Sequence, residues 1–210
     1  AAPLARCRRC ALPLPLPATI CGDCLRSPPP YAHAVAAVDY AAPWDGLVAR
    51  FKFHGALDLA PVFAERLVVA VEDAMAGSDR GRPDLVLPVP LGAERLRERG
   101  YNQAWEIARR ASRALSCTGD PHLLLRIRDT AHQIDLAPTQ RAGNVHRAFA
   151  EEPRRLADVR GRSVAVVDDV MTTGATFAEI SRVLLQAGVR EVSVWAVART
   201  PRPDTAASAA

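Results

Sequence analysis

The stretch of residues 164–176 constrains the fold more than any other part of this 210-residue chain. It begins with four apolar residues, three of them valine, and such a run is typical of a strand buried on both faces in a parallel sheet. Asp168 and Asp169 follow at once, and a turn rich in threonine comes next. Residues 177–187 then carry apolar side chains at helical spacing, and Gly188 stands where a helix C-cap is expected. The pattern predicts a strand, a turn and a helix, with both acids at the sheet edge where open α/β sheets bind ligands.

The residues of the turn favour a particular ligand. A helix N-terminus offers unpaired N–H groups and a partial positive charge, and Gly174 allows the backbone to approach a phosphate closely. Asp168 and Asp169 accept hydrogen bonds, so they suit a vicinal diol or a hydrated Mg²⁺. A phosphate beside a diol describes a ribose 5-phosphate. In the alternative, the acids cap the next helix and the threonines make ordinary turn bonds; the acid pair alone favours that interpretation, and the whole stretch favours the ligand site.

The same stretch resembles the phosphoribosyl-diphosphate (PRPP) motif of type I phosphoribosyltransferases, in which an apolar strand precedes two acids and Thr-Thr-Gly-x-Thr. The resemblance implies an α/β fold of that type, with a parallel sheet flanked by helices. It implies that Asp168 and Asp169 hold the ribose hydroxyls, with Mg²⁺ accompanying PRPP. It also assigns the 5-phosphate to six loop residues: Met171, Thr172, Thr173, Gly174, Ala175 and Thr176.

A second strand, predicted at residues 85–89, ends in a tight loop and is followed by several arginines and a helix. In type I phosphoribosyltransferases a loop at this position cups the pyrophosphate, and arginines match phosphate oxygens bidentately. The resemblance assigns this role to Pro90, Leu91, Gly92, Arg95 and Arg99. For any one arginine, a solvated basic helix face is an equally good interpretation.

Residues 126–149 lie between these two elements, and they are polar and without clean periodicity. This pattern fits a mobile lid that closes over a substrate and excludes water. The lid residues proposed to face the ligand are Arg128, Gln133, Arg141 and Asn144. His132 could act as an acid or a base, but one histidine in a polar loop is a weak signal.

Two Cys-x-x-Cys pairs, Cys7 with Cys10 and Cys21 with Cys24, are separated by ten residues. Paired knuckles of this kind place four thiolates around a tetrahedral Zn²⁺. The segment has too small a core to fold alone, so the metal would supply most of its stability. The alternative is redox-active or incidental cysteines. Cys117 stands alone and is interpreted as a small apolar filler.

Several motifs occur in an order that narrows the resemblance. They are the four-cysteine segment, Phe-Lys-Phe-x-Gly, Pro-Val-Pro-Leu, Arg-x-Arg-Gly-Tyr-Asn-Gln, Gln-x-x-Leu, Arg-x-x-Asn and the acid–threonine stretch. Together they resemble the ComF family, phosphoribosyltransferase-like proteins associated with bacterial competence for DNA uptake. The expected organisation is a zinc ribbon with a proline linker (1–30), a phosphoribosyltransferase-like domain (31–200) and a disordered tail (201–210).

Two functions are consistent with these patterns. In the first, an enzyme displaces pyrophosphate from PRPP with a nitrogen nucleophile, either a nucleobase or an amine. In the second, a non-catalytic protein senses PRPP or a nucleotide, or acts in competence by binding single-stranded DNA or other competence proteins. A net charge of +4 and an aromatic content of 5% weigh against DNA as the primary ligand, because single-strand binding uses aromatic stacking platforms. No apolar segment approaches the ~20 residues of a membrane span and no signal peptide is evident, so a cytoplasmic protein is expected.

Overall fold

A computed structural model describes residues 5–76, 81–127 and 148–202. The strands are β1 His33–Asp39, β2 Leu85–Pro88, β3 Thr118–Gly119, β4 Leu124–Arg126, β5 Phe149–Glu151, β6 Ser163–Met171 and β7 Glu191–Arg199. The α-helices are α1 Gly22–Arg26, α2 Trp44–Phe53, α3 Ala60–Ala76, α4 Ala93–Arg99, α5 Gln103–Ala114 and α6 Ala175–Gln186. Short 3-10 helices cover Leu57–Leu59 and Pro153–Asp158. None of these described helices is long and apolar enough to span a bilayer.

Five strands form one sheet in the order β1-β7-β6-β2-β3, and every pair in it is parallel. The predicted parallel α/β sheet is therefore confirmed, with the acid-bearing strand β6 at its centre. The other two strands, β4 and β5, form a separate antiparallel pair. They flank the segment predicted to be a lid, whose residues 128–147 lie outside the described part of the chain.

Helices cover both faces of the sheet, which explains the uninterrupted apolar runs in its strands. Successive side chains of β6 point to opposite faces. Val164 and Val166 pack with the α6 side chains, whereas Ala165 and Val167 pack with α2, α3 and α5. The large aromatic residues lie mainly on the second face, where Phe51 and Phe63 meet edge to face with ring centroids 5.2 Å apart.

The cysteine-bearing N-terminal segment packs along the edge of the sheet at β1. The N–H of Ala34 donates to the carbonyl of Arg8 at 2.9 Å, and the Arg6 guanidinium pairs with Asp39 at 2.8 Å. The segment thus continues the hydrogen bonding of the edge strand, and its cysteines lie close to the carboxyl end of the sheet.

Two elements differ from the sequence expectations. Strand β6 continues through both acids to Met171, because ladder bonds to β7 persist to its end. The arginine-rich residues after β2 form their own helix, α4, which ends at Gly100 with a φ of 76°. A left-handed residue of this kind ends a helix and redirects the chain, and α5 starts afresh at Gln103.

Candidate functional site

The connection between β6 and α6 forms a tight turn that we call the threonine loop (residues 171–176). Gly174 caps α6 with φ 83° and ψ 2°, a left-handed conformation that costs side-chain-bearing residues strain. The N–H of Ala175 donates to Oγ1 of Thr173 at 3.3 Å, so this threonine holds one of the first N–H groups of the helix. The predicted strand, turn and helix are present, and the loop lies at the carboxyl end of the central strand.

Replacing Gly174 with Ala is expected to lower the free energy of unfolding by more than the ~1–2 kcal/mol typical of a left-handed residue. A Cβ there would lie 3.0 Å from Cε of Met171 and 3.1 Å from Oη of Tyr31. Gly161 is a matched control, because its φ is 70° and a Cβ there would meet nothing within 4 Å. Denaturant unfolding of Gly174→Ala and Gly161→Ala measures the difference between the two losses of stability. Equal losses would show that the threonine loop can accommodate a Cβ at residue 174.

A cavity of about 260 Å³ opens beside the threonine loop. It brings together the acid pair, the whole loop and most of the predicted pyrophosphate residues, namely Pro90, Leu91, Arg95 and Arg99. Arg95 and Arg99 lie one helical turn apart, at the i, i+4 spacing that places side chains on one helix face. Gly92 is the residue before α4, where it occupies the N-cap, and it does not line the cavity.

Asp169 forms an ion pair that the sequence did not predict. Its Oδ1 lies 2.8 Å from Nζ of Lys52, at the C-terminal end of α2, and its side chain is only 3% exposed. The backbone N–H of Asp169 donates to Oδ1 of Asp168 at 2.9 Å, which orients the Asp168 carboxylate. Burial and the neighbouring Asp169 raise the pKa of Asp168 to about 7, although Lys52 opposes the shift. Burial disfavours the charge on Lys52, but Asp169 and Asp168 outweigh it and raise the lysine pKa.

Among the described residues, three buried side-chain atoms of residues that line this cavity have no hydrogen-bond partner. They are Oδ2 of Asp169, Nη1 of Arg99 and Oε1 of Gln103. A buried polar group without a partner costs about 1–3 kcal/mol, so such groups are uncommon away from functional sites. Two of these atoms accept hydrogen bonds and one donates, so a ligand with both kinds of group would satisfy all three.

An aromatic ring stands at the same cavity. Phe53 follows Lys52, lines the cavity and is 59% exposed. The Arg99 guanidinium lies 5.1 Å from the centroid of its ring, within the range of a cation–π contact. The cavity therefore offers an apolar, planar surface next to its charged groups.

The four predicted zinc ligands come together in a second cluster. The Sγ atoms of Cys7, Cys10, Cys21 and Cys24 all lie within 4.8 Å of one another, and those of Cys10 and Cys21 are 3.7 Å apart. A tetrahedral ion with Zn–S bonds of about 2.3 Å separates its sulfurs by about 3.8 Å, so the cluster fits zinc. A disulfide would bring two sulfurs to about 2.05 Å, and all four cysteines are free.

The protein environment tunes these thiols in different directions. Burial raises the pKa of Cys10 to about 11 and shifts that of Cys24 upward as well. Burial acts in the same direction on Cys7, but backbone hydrogen bonds, the first from Cys21, outweigh it and lower the Cys7 pKa to about 7. Cys117 lies apart from the cluster, half-buried and packed against the apolar core, in agreement with a filler role.

Sequence reasoning missed several residues of the cavity, among them Lys52, Phe53, Gln103 and Arg126. Lys52 carried a signal, since it is the only lysine among 27 basic residues, but nothing in the sequence indicated what it contacts. The predicted lid residues Arg128, Gln133, Arg141 and Asn144 lie outside the described residues and remain predictions.

Comparison with known proteins identifies the family. A family model described as "Phosphoribosyl transferase domain" matches residues 104–207. The chain is 37% identical to the DNA utilization protein YhgH of Shigella flexneri and 35% identical to competence protein F of Haemophilus influenzae, in both cases over 92% of this chain and 84% of the relative. Among solved structures, a glutamine PRPP amidotransferase from B. subtilis matches with a TM-score of 0.40 and 20% identity, over 64% of this chain and 25% of that one. The identity across most of both relatives, together with the domain match, shows that the chain belongs to the ComF family of phosphoribosyltransferase-like proteins.

Proposed function

We propose that the cavity binds PRPP together with Mg²⁺. The threonine loop would hold the 5-phosphate, the acid pair would hold the ribose hydroxyls, and Arg95 and Arg99 would hold the pyrophosphate. The observation that carries this proposal is that three residues lining the cavity each have a buried polar atom without a partner in the described part of the chain. Ribose hydroxyls can donate to Oδ2 of Asp169, and phosphate oxygens can accept from Nη1 of Arg99.

The acid pair also fits a hydrated divalent cation, because Mg²⁺ is held by carboxylates together with substrate phosphates. When bound, Mg²⁺ would neutralise part of the pyrophosphate charge. The residues of the chain would do the rest by positioning, since the backbone N–H of Asp169 orients the Asp168 carboxylate and Lys52 holds the Asp169 carboxylate. Groups that are positioned before the substrate arrives need not reorganise during the reaction.

The reaction that this arrangement supports is displacement at the anomeric carbon. A nitrogen nucleophile would bond to that carbon while its bond to the pyrophosphate oxygen breaks, and pyrophosphate would leave with the electron pair. Charge on the ribose in the transition state would resemble that of an oxocarbenium ion, by analogy with glycoside chemistry. Arg95 and Arg99 line the cavity, and they would stabilise the negative charge that grows on the leaving group.

The exposed ring of Phe53 favours a nucleobase over an alkylamine as the nucleophile. A planar heterocycle can stack on an aromatic ring, whereas an alkylamine gains little from one. Oε1 of Gln103 finds no donor in the segments that the structure describes, and a base with an N–H group could supply one.

Pyrophosphate release from PRPP and Mg²⁺, measured against a panel of nucleobases and alkylamines, tests this function. We expect release with at least one base and affinity for PRPP in calorimetry. If the protein binds PRPP but releases no pyrophosphate with any acceptor offered, it is a PRPP-sensing protein and not an enzyme. A correctly folded protein that does not bind PRPP would overturn the proposal.

The names of the relatives favour a role linked to DNA, since one is a DNA utilization protein and another a competence protein. We propose that this chain likewise acts in DNA utilization or competence, through its proposed PRPP cavity. Direct binding of single-stranded DNA is the competing possibility. It predicts salt-dependent binding that survives replacement of Asp168 and Asp169, which can be measured by fluorescence anisotropy at several salt concentrations.

We further propose that the four-cysteine centre (Cys7, Cys10, Cys21 and Cys24) holds one structural Zn²⁺. Metal analysis of the purified chain should find about one zinc per chain, as four-thiolate sites bind. Cys24→Ser is expected to lose the metal, because Cys24 is one of the four clustered thiols. Cys117→Ser is the matched control and should keep it. Zinc-free folded protein with disulfides among these four cysteines would contradict the prediction.

A further inference from the structure

One buried arginine joins the four-cysteine centre to the threonine loop. Arg199 is the last residue of β7, and it is 5% exposed. Its Nε donates to the carbonyl of Cys10 at 2.8 Å. Its Nη1 donates to the carbonyl of Met171 at 3.0 Å, to that of Thr200 at 2.8 Å and also to that of Thr172. A single side chain therefore holds backbone of the first cysteine pair and backbone of the loop.

The two loop carbonyls are well placed to set the direction of the loop. A trans peptide is planar, and its N–H points away from its C=O. When Arg199 holds the carbonyls of Met171 and Thr172, the N–H groups of Thr172 and Thr173 point away from Arg199. Thr172 and Thr173 line the proposed PRPP cavity, and they also line a second cavity of about 530 Å³ on the side of Cys10 and Arg199. The loop is thus a wall between the two cavities.

Tyr31 provides a second contact between the same two parts. Its side chain is almost fully buried, and its hydroxyl lies close enough to Gly174 to be 3.1 Å from a Cβ built there. Its carbonyl accepts from Nη1 of Arg9, beside Cys10, at 3.1 Å. Tyr31 and Arg199 therefore both lie against the threonine loop, and both are held by backbone or side-chain contacts near the four-cysteine centre.

We propose that Arg199 is a positioning residue that makes phosphate binding by the threonine loop depend on the metal state of the four-cysteine centre. A bound cation fixes Cys10 and with it the carbonyl that accepts from Nε of Arg199. Without the cation, Cys10 is free to move and Arg199 loses one fixed acceptor. The carbonyl of Met171 still accepts from the N–H of Thr200 at 3.1 Å, so it is the peptide after Thr172 that is no longer held in one direction. The effect on phosphate rests on the function proposed above, whereas the effect on the loop does not.

Lysine cannot replace Arg199 in this role. Guanidinium carries donors on three nitrogens in a fixed plane, so it can reach Cys10 with one edge and the loop with another. An ammonium has all its donors on a single nitrogen. Arg199→Lys therefore keeps the charge and removes the bridge, which separates electrostatic attraction of phosphate from positioning.

The test compares the parent chain, Arg199→Lys and a control, each with zinc bound and after removal of zinc by a chelator. Arg190→Gln is the control, because Arg190 lies just before the other end of the same strand and is exposed beside Asp84. Titration calorimetry measures the affinity for inorganic phosphate and for ribose 5-phosphate. Zinc content and thermal unfolding are measured on the same samples.

We expect removal of zinc to weaken phosphate binding by the parent about tenfold or more, the loss expected for one charged hydrogen bond. Arg199→Lys should keep its zinc, bind phosphate as weakly as the zinc-free parent, and show little further loss on removal of zinc. Arg190→Gln should behave as the parent does. The proposal is overturned if zinc removal leaves phosphate affinity of the parent unchanged, or if Arg199→Lys responds to zinc removal as strongly as the parent.

Hydrogen exchange of residues 171–176 in the parent gives a measurement that needs neither a variant nor a ligand. Zinc removal should speed exchange in this loop while the central part of β6 stays protected. Unchanged loop exchange would refute the coupling even if Arg199→Lys fails to fold. If the parent binds neither phosphate nor PRPP, the proposed function fails, and loop exchange still decides the coupling.

Discussion

Replacement of Lys52 with Met is expected to lower the free energy of unfolding by about 3–5 kcal/mol, the range found when one partner of a buried ion pair is removed. The side chain of Asp169 is 3% exposed and that of Lys52 is 22% exposed, so little water can compensate the lost cation. Within residues 5–76, 81–127 and 148–202, Oδ2 of Asp169 has no hydrogen-bond partner even when Lys52 is present. Met conserves most of the apolar stem of lysine and removes only the charge. Denaturant unfolding in the absence of ligand measures the loss.

The double variant Lys52→Met with Asp169→Asn separates charge from packing. It removes the uncompensated carboxylate, so we expect it to recover a large part of the stability lost by Lys52→Met alone. A double-mutant cycle completed with Asp169→Asn gives the coupling between the two side chains. A loss below 0.5 kcal/mol for Lys52→Met, which is the usual range for surface substitutions, would show that the pair contributes nothing to the folded state.

The central motif could be predicted from the sequence because its signals are local. The valine run, the two acids and Gly174 occur within thirteen residues, and each has a physical reason to occupy that position in a strand, turn and helix. The clustering of the four cysteines could also be predicted, since the spacing within and between the two Cys-x-x-Cys pairs indicates which thiols can share a metal. Both predictions concern groups that lie close together in the sequence.

The contacts between distant elements could not be predicted in this way. Periodicity indicates which face of α2 is buried, but it does not say that its C-terminal Lys52 meets Asp169 on β6. That contact depends on the strand order, in which β1 lies beside β7 and not beside β2. The contacts of Arg199 could not be predicted either. It follows an apolar run in the sequence, and nothing there indicates that it joins the backbone at Cys10 to the threonine loop. Arg95 and Arg99, in contrast, were selected from the sequence without Arg97, and both line the cavity.

Contacts to PRPP are expected to divide between the acid pair and the threonine loop. Replacing both Asp168 and Asp169 with Asn keeps their shape but removes the charge that favours Mg²⁺ and the ribose diol. Each lost charged hydrogen bond should cost about 1.5–3 kcal/mol, which is roughly a ten- to hundredfold weakening. The acid variant should therefore bind ribose 5-phosphate and PRPP poorly and still bind inorganic phosphate. Calorimetry with the three ligands, with and without Mg²⁺, measures this pattern.

The threonine loop should show a different pattern. Thr173→Val removes a hydroxyl that is expected to donate a hydrogen bond to the phosphate. The same hydroxyl accepts from the N–H of Ala175 at 3.3 Å, so the first turn of α6 also loses a cap. Affinity should fall for inorganic phosphate, ribose 5-phosphate and PRPP alike. Thr173→Ser retains the hydroxyl and should bind all three ligands within a few-fold of the parent. If folded acid and Thr173→Val variants both bind PRPP as the parent does, the cavity beside β6 is not the PRPP site.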